Sequence, residues 1–237
     1  MASHLRLSRR EFWGGQTSRI YDAVAGERLA GWAHARFPPE GSRILDVGCG
    51  PGNWALRAAR ALPGSLVAGV DFSLPMVQRA EAKRRREGVL NCRFIAADAR
   101  ALPFLAESFD RARSTASLKF WPEPIQGLDE IHRILAPGGK LLVIEAARDT
   151  PPEEIREFLR SIRVGPLARS AGGWILSRFL RHHGLRLDSV AEIAARSRFR
   201  GGKAALLPGS PFFSLELSRS DDLPRARELA PGPLRRG

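Results

Sequence analysis

A glycine-rich loop directly after a short apolar strand constrains the fold of this chain more than any other feature. Residues 43–47 predict a buried strand, and Gly48, Gly50 and Gly52 follow it, ahead of a helical segment over 54–62. Because glycine has no Cβ, this backbone can turn tightly and approach a ligand closely. The order of strand, glycine loop and helix predicts the first βαβ unit of a ligand-binding sheet.

The chain goes on to alternate strands with helices. The pattern predicts strands over 66–70, 92–96, 109–114, 141–144, 204–207 and 212–217, and helices over 74–87 and 125–135. Strands separated by such helices form right-handed βαβ units and a parallel sheet covered on both faces. We therefore predict a doubly wound α/β fold with a mostly parallel seven-stranded sheet. Two details are specific: the helix over 125–135 should break at Pro137-Gly138-Gly139, and 212–217 should be an antiparallel edge strand.

At 237 residues the chain fits one α/β domain with additions. We expect an N-terminal helical cap over 1–39, the main domain over 40–218, and a disordered tail over 219–237 that is rich in proline, glycine and charge. A helical stretch over 151–198 interrupts the alternation between the fifth and sixth strands.

The net charge of +13 suggests nucleic acid as a partner, because lysine and arginine neutralise phosphates. However, only four of the 38 basic residues are lysines, and the arginines are spread along the chain, as expected from a GC-rich coding genome. We do not expect a nucleic-acid partner, although an RNA substrate, anionic lipid and acidic substrates remain alternatives.

Cysteine content and hydropathy suggest where the protein acts. Cys49 and Cys92 give neither a disulfide framework nor a metal-ligand spacing, so we expect no metal. No apolar run is long enough for a membrane span, and the first ten residues do not resemble a signal peptide. These features predict a cytoplasmic protein.

Four loops at one edge of the predicted sheet contain the candidate site. Ligands of open parallel sheets bind beyond the carboxyl ends of the strands, where Asp71, Asp98 and Ser114 follow the second, third and fourth strands. Asp71 lies 23 residues beyond Gly48, a spacing at which a carboxylate can accept both hydroxyls of a ribose.

Asp46 helps to distinguish which nucleotide-like ligand the glycine loop can bind. Nicotinamide loops use the spacing G-x-G-x-x-G, whereas Asn53 occupies the third glycine position here. A carboxylate just before the glycines also adds negative charge where a pyrophosphate would lie. A cationic sulfonium ligand without phosphates fits this acidic edge better.

These motifs resemble a known enzyme class. The sequence ILDVGCGPG at 44–52, together with Val70-Asp71, AADA at 96–99, SFD at 108–110 and LAPGGKL at 135–141, is similar to class I S-adenosylmethionine (SAM) dependent methyltransferases over residues 40 to 146. Within that class, the chain resembles the small-molecule branch that includes ubiquinone and menaquinone C-methyltransferases.

The resemblance implies roles for individual residues. Gly48 and Gly50 would lie against the methionine part of SAM, Asp71 would hold the ribose, and Asp98 would accept from the adenine amino group, with the Ala99 backbone nearby. Asp46 would border the same cofactor site, and Ser114 would lie near the sulfonium. Arg111 and Arg113 depart from the apolar pattern usual in this strand, which leaves its register and the place of Ser114 open.

The expected reaction is methyl transfer to a small organic acceptor, by O- or C-methylation. Proximity and orientation can drive an in-line displacement without a dedicated acid or base. No base is evident, and Lys119 and Glu145 are the candidates for a catalytic role. An RNA methyltransferase and a non-catalytic SAM-binding protein are the alternatives; the acceptor, the methylated atom and the oligomeric state stay open.

The stretch over 151–198 emerges beside the predicted site and is expected to form a helical lid that selects the acceptor. Its predicted apolar face, bordered by Arg178 and Arg181, consists of Trp174, Ile175, Phe179 and Leu180. Such a surface suits an apolar acceptor or peripheral contact with an anionic membrane.

Overall fold

The computed structural model describes residues 27–162 and 164–220. They form one seven-stranded sheet in the order β3-β2-β1-β4-β5-β7-β6. The strands are β1 (Arg43–Val47), β2 (Leu66–Asp71), β3 (Cys92–Ala96), β4 (Phe109–Thr115), β5 (Leu135–Ala146), β6 (Lys203–Leu206) and β7 (Phe212–Ser218). The first five strands pair in parallel, and β7 runs antiparallel to both β5 and β6.

Helices cover both faces of this sheet. They are α1 (Glu27–Arg36), α2 (Asn53–Ala61), α3 (Leu74–Arg86), α4 (Pro124–Ile134), α5 (Pro152–Ser161), α6 (Pro166–His183) and α7 (Leu187–Arg196). Adjacent strand residues point to opposite faces, so Ile44 packs with α1 and α2 while Leu45 belongs to the core under α4 and α7. The predicted doubly wound seven-stranded fold is confirmed.

Two details of the sheet differ from the prediction. The predicted start of the fifth strand is wrong: the helix ends before Pro137-Gly138-Gly139 as expected, but β5 already begins at Leu135. This stretch is a bulge within β5, where Leu135 pairs with Phe109 and pairing resumes at Lys140. The edge position of β7 is also wrong, since β6 pairs along its outer side and forms the edge instead. The antiparallel direction of β7 is as expected.

The stretch over 151–198 is helical, as expected, but its helices lie on different faces of the sheet. Residues of α5 and α6 form a core with Ile144 and Phe212, whereas Val190 and Ala194 of α7 belong to the core with α4. A lid over the site would therefore involve α5 and α6 only. Most of the predicted cap over 1–39 and nearly all of the tail over 219–237 lie outside the described residues.

A buried tryptophan connects α4 to the loop after β4. Trp121 packs so closely on the helix that a Cβ added to Gly127 would lie 2.6 Å from its Cε3 atom. The helix needs a glycine at this contact for steric reasons, although glycine weakens helices elsewhere.

We predict that Gly127→Ala lowers the free energy of unfolding by about 1 to 3 kcal/mol, because the added methyl group overpacks the contact with Trp121. Urea unfolding measures this change. Gly173→Ala in α6 is the matched control, since its nearest neighbour would be Leu159 Cδ1 at 3.9 Å. Equal stability of the Gly127→Ala variant and the wild type would show that Trp121 is not held against α4.

Candidate active site

A cavity of about 790 Å³ lies at the carboxyl ends of the parallel strands, where ligands of such sheets bind. Its polar end consists of the glycine loop together with Asp46, Asp71 and Asp98. Its other walls come from α1, the loop after β4 and the pair α5 and α6, and most of their side chains are apolar. The cavity thus joins an acidic end to an apolar end.

Gly48 allows a close approach between two loops of the site. Its φ of 74° lies in the left-handed region, and its N–H donates to the Val70 carbonyl at 2.8 Å. A Cβ at this position would lie 2.3 Å from Ser117 Oγ. Any other residue would therefore push the loop after β4 away from the glycine loop.

Asp71 is fixed at the end of β2 by backbone donors. Its carboxylate accepts from Gly50 N–H and from Ser73 N–H, each at 2.9 Å. Burial raises the pKa of Asp71, and these two N–H groups partly offset the effect because they favour the ionised form. The carboxylate therefore lines the cavity in a defined orientation.

Asp98 and Ala99 line the same end of the cavity after β3, as predicted from their position. The Asp98 carboxylate pairs with the Arg100 guanidinium, whose Nε and Nη2 donate at 3.0 and 2.8 Å. The same carboxylate accepts from Arg100 N–H at 2.9 Å, so Arg100 fixes its orientation.

Ser114 lies behind the cavity wall. It is fully buried, its Oγ lies 2.8 Å from Ser117 Oγ, and it does not line the cavity. Ala116 takes a φ of 54°, and Ser117 reaches the wall and donates to the Val47 carbonyl at 3.1 Å. Ser117 was missed from the sequence because the turn at Ala116 has no recognisable pattern. Ser117 therefore lines the cavity at this point, and Ser114 does not.

Comparison with known proteins identifies the class of domain. Residues 44–139, which carry the glycine loop, Asp71 and Asp98, match the family described as a methyltransferase domain. We refer to this segment, by its similarity to that family, as the methyltransferase domain.

Curated relatives of the methyltransferase domain are named demethylmenaquinone methyltransferase. The chain is 41% identical to the one of Thermus thermophilus over 103 residues, 44% of this chain and 46% of that protein. It is 40% identical to the one of Clavibacter sepedonicus over 148 residues, 62% of this chain and 52% of that protein. The chain thus spans about half the length of the curated relatives it matches.

Solved structures share the fold of the whole described chain. A SAM-dependent methyltransferase from Aquifex aeolicus has a TM-score of 0.65 at 17% identity and covers 86% of this chain and 97% of its own. The [4+2]-cyclase SpnF has a TM-score of 0.53 at 24% identity and covers 82% of this chain and 81% of its own. The architecture is therefore the Rossmann-like fold of SAM-dependent methyltransferases, and this fold alone does not determine a reaction.

The two candidates for a catalytic role, Lys119 and Glu145, form an ion pair. Lys119 Nζ lies 3.0 Å from Glu145 Oε2, and both side chains are almost fully buried. The other Glu145 oxygen accepts from Leu118 N–H at 2.6 Å, and Lys119 Nζ also donates to the Ala116 carbonyl at 2.9 Å. Lys119 lines the cavity and Glu145 does not. Glu145 therefore holds the turn after β4 in place and is poorly placed to act as a base.

A buried arginine lies beside the acidic end of the cavity. Arg113 of β4 is opposite Asp46 of β1, and its guanidinium lies 4.4 Å from the ring centroid of Trp54. Burial raises the pKa of Asp46 to about 7, although the charge of Arg113 opposes the rise. Burial likewise lowers the pKa of Arg113 to about 10, with Asp46 opposing. Arg113, which departs from the apolar pattern usual in this strand, thus provides a counter-charge for Asp46.

Neither cysteine of the methyltransferase domain is suited to nucleophilic chemistry. Cys49 and Cys92 are buried, and burial raises the pKa of the Cys49 thiol well above its usual value and that of Cys92 to about 12. Within residues 27–162 and 164–220, no group of three or more potential ligands could hold a metal ion. In the same ranges, no helix is long and apolar enough to cross a membrane.

The buried Asp46 leads to a prediction on pH. The unfolded chain loses the Asp46 proton near pH 3.8, whereas the native state keeps it up to about pH 7. Between these values the native state binds more protons, so the contribution of Asp46 to stability falls as the pH rises. Asp46→Asn should therefore be more stable relative to wild type at about pH 8 than at about pH 5.

Urea unfolding at the two pH values measures this difference. Glu81→Gln is the control, because its pKa is lowered to about 2 by its hydrogen bond to Arg84 and it stays ionised at both. Arg113 stays protonated at both pH values, and its attraction to ionised Asp46 already contributes to the pKa of about 7. An Asp46→Asn stability difference that does not change with pH would contradict the raised pKa.

Proposed function

We propose that this chain is a SAM-dependent methyltransferase that transfers a methyl group to a small apolar acceptor. One observation carries the proposal: a single cavity joins the acidic, glycine-lined end at β1, β2 and β3 to an apolar end formed by α5 and α6. The first end suits a cationic cofactor, and the second suits an acceptor without strong polar groups.

The residues at the acidic end fit SAM. Gly48 and Gly50 line the cavity without a side chain, Asp71 is oriented to accept two ribose hydroxyls, and we assign Asp98 to the adenine amino group. Together with Asp46, which ionises near pH 7, these carboxylates make this end electronegative, which favours a sulfonium cation and disfavours phosphates. When bound, SAM supplies a methyl group on a positively charged sulfur that leaves as a neutral thioether.

The apolar end suggests the class of acceptor. It is lined by Leu29, Phe158, Leu159, Leu176, Leu180 and Phe212. Aliphatic and aromatic walls stabilise an apolar ring or chain by burying it from water. Since the curated relatives are named demethylmenaquinone methyltransferases, a quinol-like aromatic is the first acceptor to test.

The protein acts on the reaction chiefly by binding and orienting both molecules. Aligned reactants gain up to about 7 to 11 kcal/mol from proximity alone, so this transfer does not require a strong base. Lys119 Nζ uses two of its three donors within the protein, on Ala116 and Glu145. We assign the third to an acceptor oxygen, whose negative charge the ammonium would stabilise while the apolar walls exclude water.

The alternatives fit the described residues less well. An RNA substrate would need a basic surface leading to the site, whereas the acceptor end is apolar. A protein that binds SAM without transferring the methyl group would use the same cofactor residues, and only a product assay separates it from an enzyme.

Methyl transfer is tested by incubating the protein with methyl-labelled SAM and cell extract divided into lipid, polar small-molecule, RNA and protein pools. We expect label in the lipid pool and in an added demethylated naphthoquinol. Label concentrated in RNA would refute the apolar acceptor, and SAM binding without label in any pool would refute methyl transfer.

We predict that Asp71→Ala weakens SAM binding about tenfold or more, because each charge-assisted hydrogen bond contributes about 1.5 to 3 kcal/mol. Calorimetry on the folded variant measures the affinity. Asp129→Ala is the control, because its carboxylate accepts from Arg198 N–H and does not line the cavity. Unchanged affinity in folded Asp71→Ala would mean that the ribose lies elsewhere.

A second variant tests the acceptor end. Leu176→Ala should lower kcat/KM for the acceptor about tenfold, since it removes roughly 1 to 3 kcal/mol of apolar contact. The SAM affinity should change by less than about threefold, because the cofactor residues lie in other loops. Leu90→Ala, exposed at the amino end of β3, is the control. Equal losses of acceptor turnover and SAM affinity would count against separate binding regions.

A further inference from the structure

Helix α6 presents two different sides. Gly172, Leu176 and Leu180 line the cavity at intervals of four residues, which places them on one side of the helix. Trp174 and Ile175 point elsewhere, with 65% and 60% of their surface exposed to solvent. The sequence-based expectation that Trp174 and Ile175 share the apolar face of Leu180 is therefore wrong, while the side chain of Phe179 lies outside the described residues.

The exposed side of α6 has a defined composition. At about 100° per residue, the described side chains within an arc of about 120° are, in order around the helix, Arg181, Trp174, Arg178, His182 and Ile175. All five are exposed, and we call them the α6 outer face. Two large apolar side chains here alternate with basic ones on a helix whose opposite side borders the cavity.

We propose that the α6 outer face docks on the surface of a lipid bilayer that contains anionic lipids. Tryptophan and isoleucine insert at the boundary between headgroups and acyl chains, and arginine pairs with anionic headgroups. The net charge of +13 adds long-range attraction to the same surface.

A protein partner fits this face less well. The centre of a protein interface is depleted of charged residues, whereas Arg178 lies between Trp174 and Ile175 around the helix. Interfacial helices, by contrast, combine bulky apolar residues with nearby basic ones. Leu90 and Leu105 are two further exposed apolar side chains, and they precede β3 and β4 at the opposite edge of the sheet.

Docking through α6 would bring the apolar end of the cavity next to the bilayer. Leu176 and Leu180 line the cavity from the same helix, so an acceptor dissolved in the membrane would have a short path to the site. This consequence rests on the proposed methyl transfer, whereas the docking itself rests on the α6 outer face alone.

Vesicle flotation of the full chain tests the docking. The wild type should bind vesicles of phosphatidylcholine mixed with phosphatidylglycerol and bind pure phosphatidylcholine at least about tenfold more weakly. Combined Trp174→Ala and Ile175→Ala should weaken binding to the mixed vesicles about tenfold or more. Combined Arg178→Gln and Arg181→Gln should remove most of the preference for the anionic lipid.

Matched controls test whether vesicle binding depends on the α6 outer face or on exposed charge and exposed apolar residues in general. Combined Leu90→Ala and Leu105→Ala removes two exposed apolar residues, and combined Arg85→Gln and Arg86→Gln removes two exposed charges at the end of α3. Both controls should bind mixed vesicles within about twofold of the wild type. All variants should keep the wild-type affinity for SAM, which shows that they are folded.

Three results would overturn the docking: no binding of the wild type to mixed vesicles, equal losses in the control variants, or self-association in ultracentrifugation that the Trp174 and Ile175 changes abolish without an effect on vesicles. The last would assign the face to a second copy of the chain. Vesicle binding that depends on α6, with no methylated product, would refute the proposed function and leave the docking intact.

Discussion

The close contact between Gly48 and Ser117 is the constraint on which the rest of the site depends. It lets the loop after β4 approach the glycine loop to a distance that no side chain at Gly48 would permit. Ser117 also bonds to Val47 and contacts Ser114, so the ends of β1 and β4 are joined at one point. The cavity wall that follows, including Lys119, takes its position from this contact.

Buried charge is arranged around the same edge of the sheet. Glu145 accepts from the backbone and from Lys119, and both of its oxygens are used in holding the turn. Asp46 instead lines the cavity, and Arg113 lies opposite it on the neighbouring strand β4. Since an unpaired buried charge is costly, these cations allow two carboxylates to exist beside an apolar cavity. One stabilises the turn, and the other contributes to an electronegative ligand site.

Two parts of the chain contribute different regions of the cavity. The methyltransferase domain over 44–139 provides the glycine loop, Asp71 and Asp98, while α5 and α6 provide much of the apolar wall. The curated relatives match about half of their length to this chain, and the fold is shared with a [4+2]-cyclase as well as with methyltransferases. In the proposed function, specificity for an acceptor comes from the walls outside the shared loops, and α6 both lines the cavity and exposes its outer face to solvent.

The sequence by itself determined the sheet and the residues that directly follow its strands. Gly48, Asp71 and Asp98 were predictable because parallel strands bring their carboxyl ends to one edge, whatever the helices between them do. The tertiary structure alone decided that Ser117 replaces Ser114 at the wall, that Glu145 is engaged by Lys119, and that Trp174 faces solvent. These outcomes depend on a left-handed turn at Ala116 and on the rotation of α6 about its axis. Both are set by packing between distant segments, which local patterns in a sequence do not record.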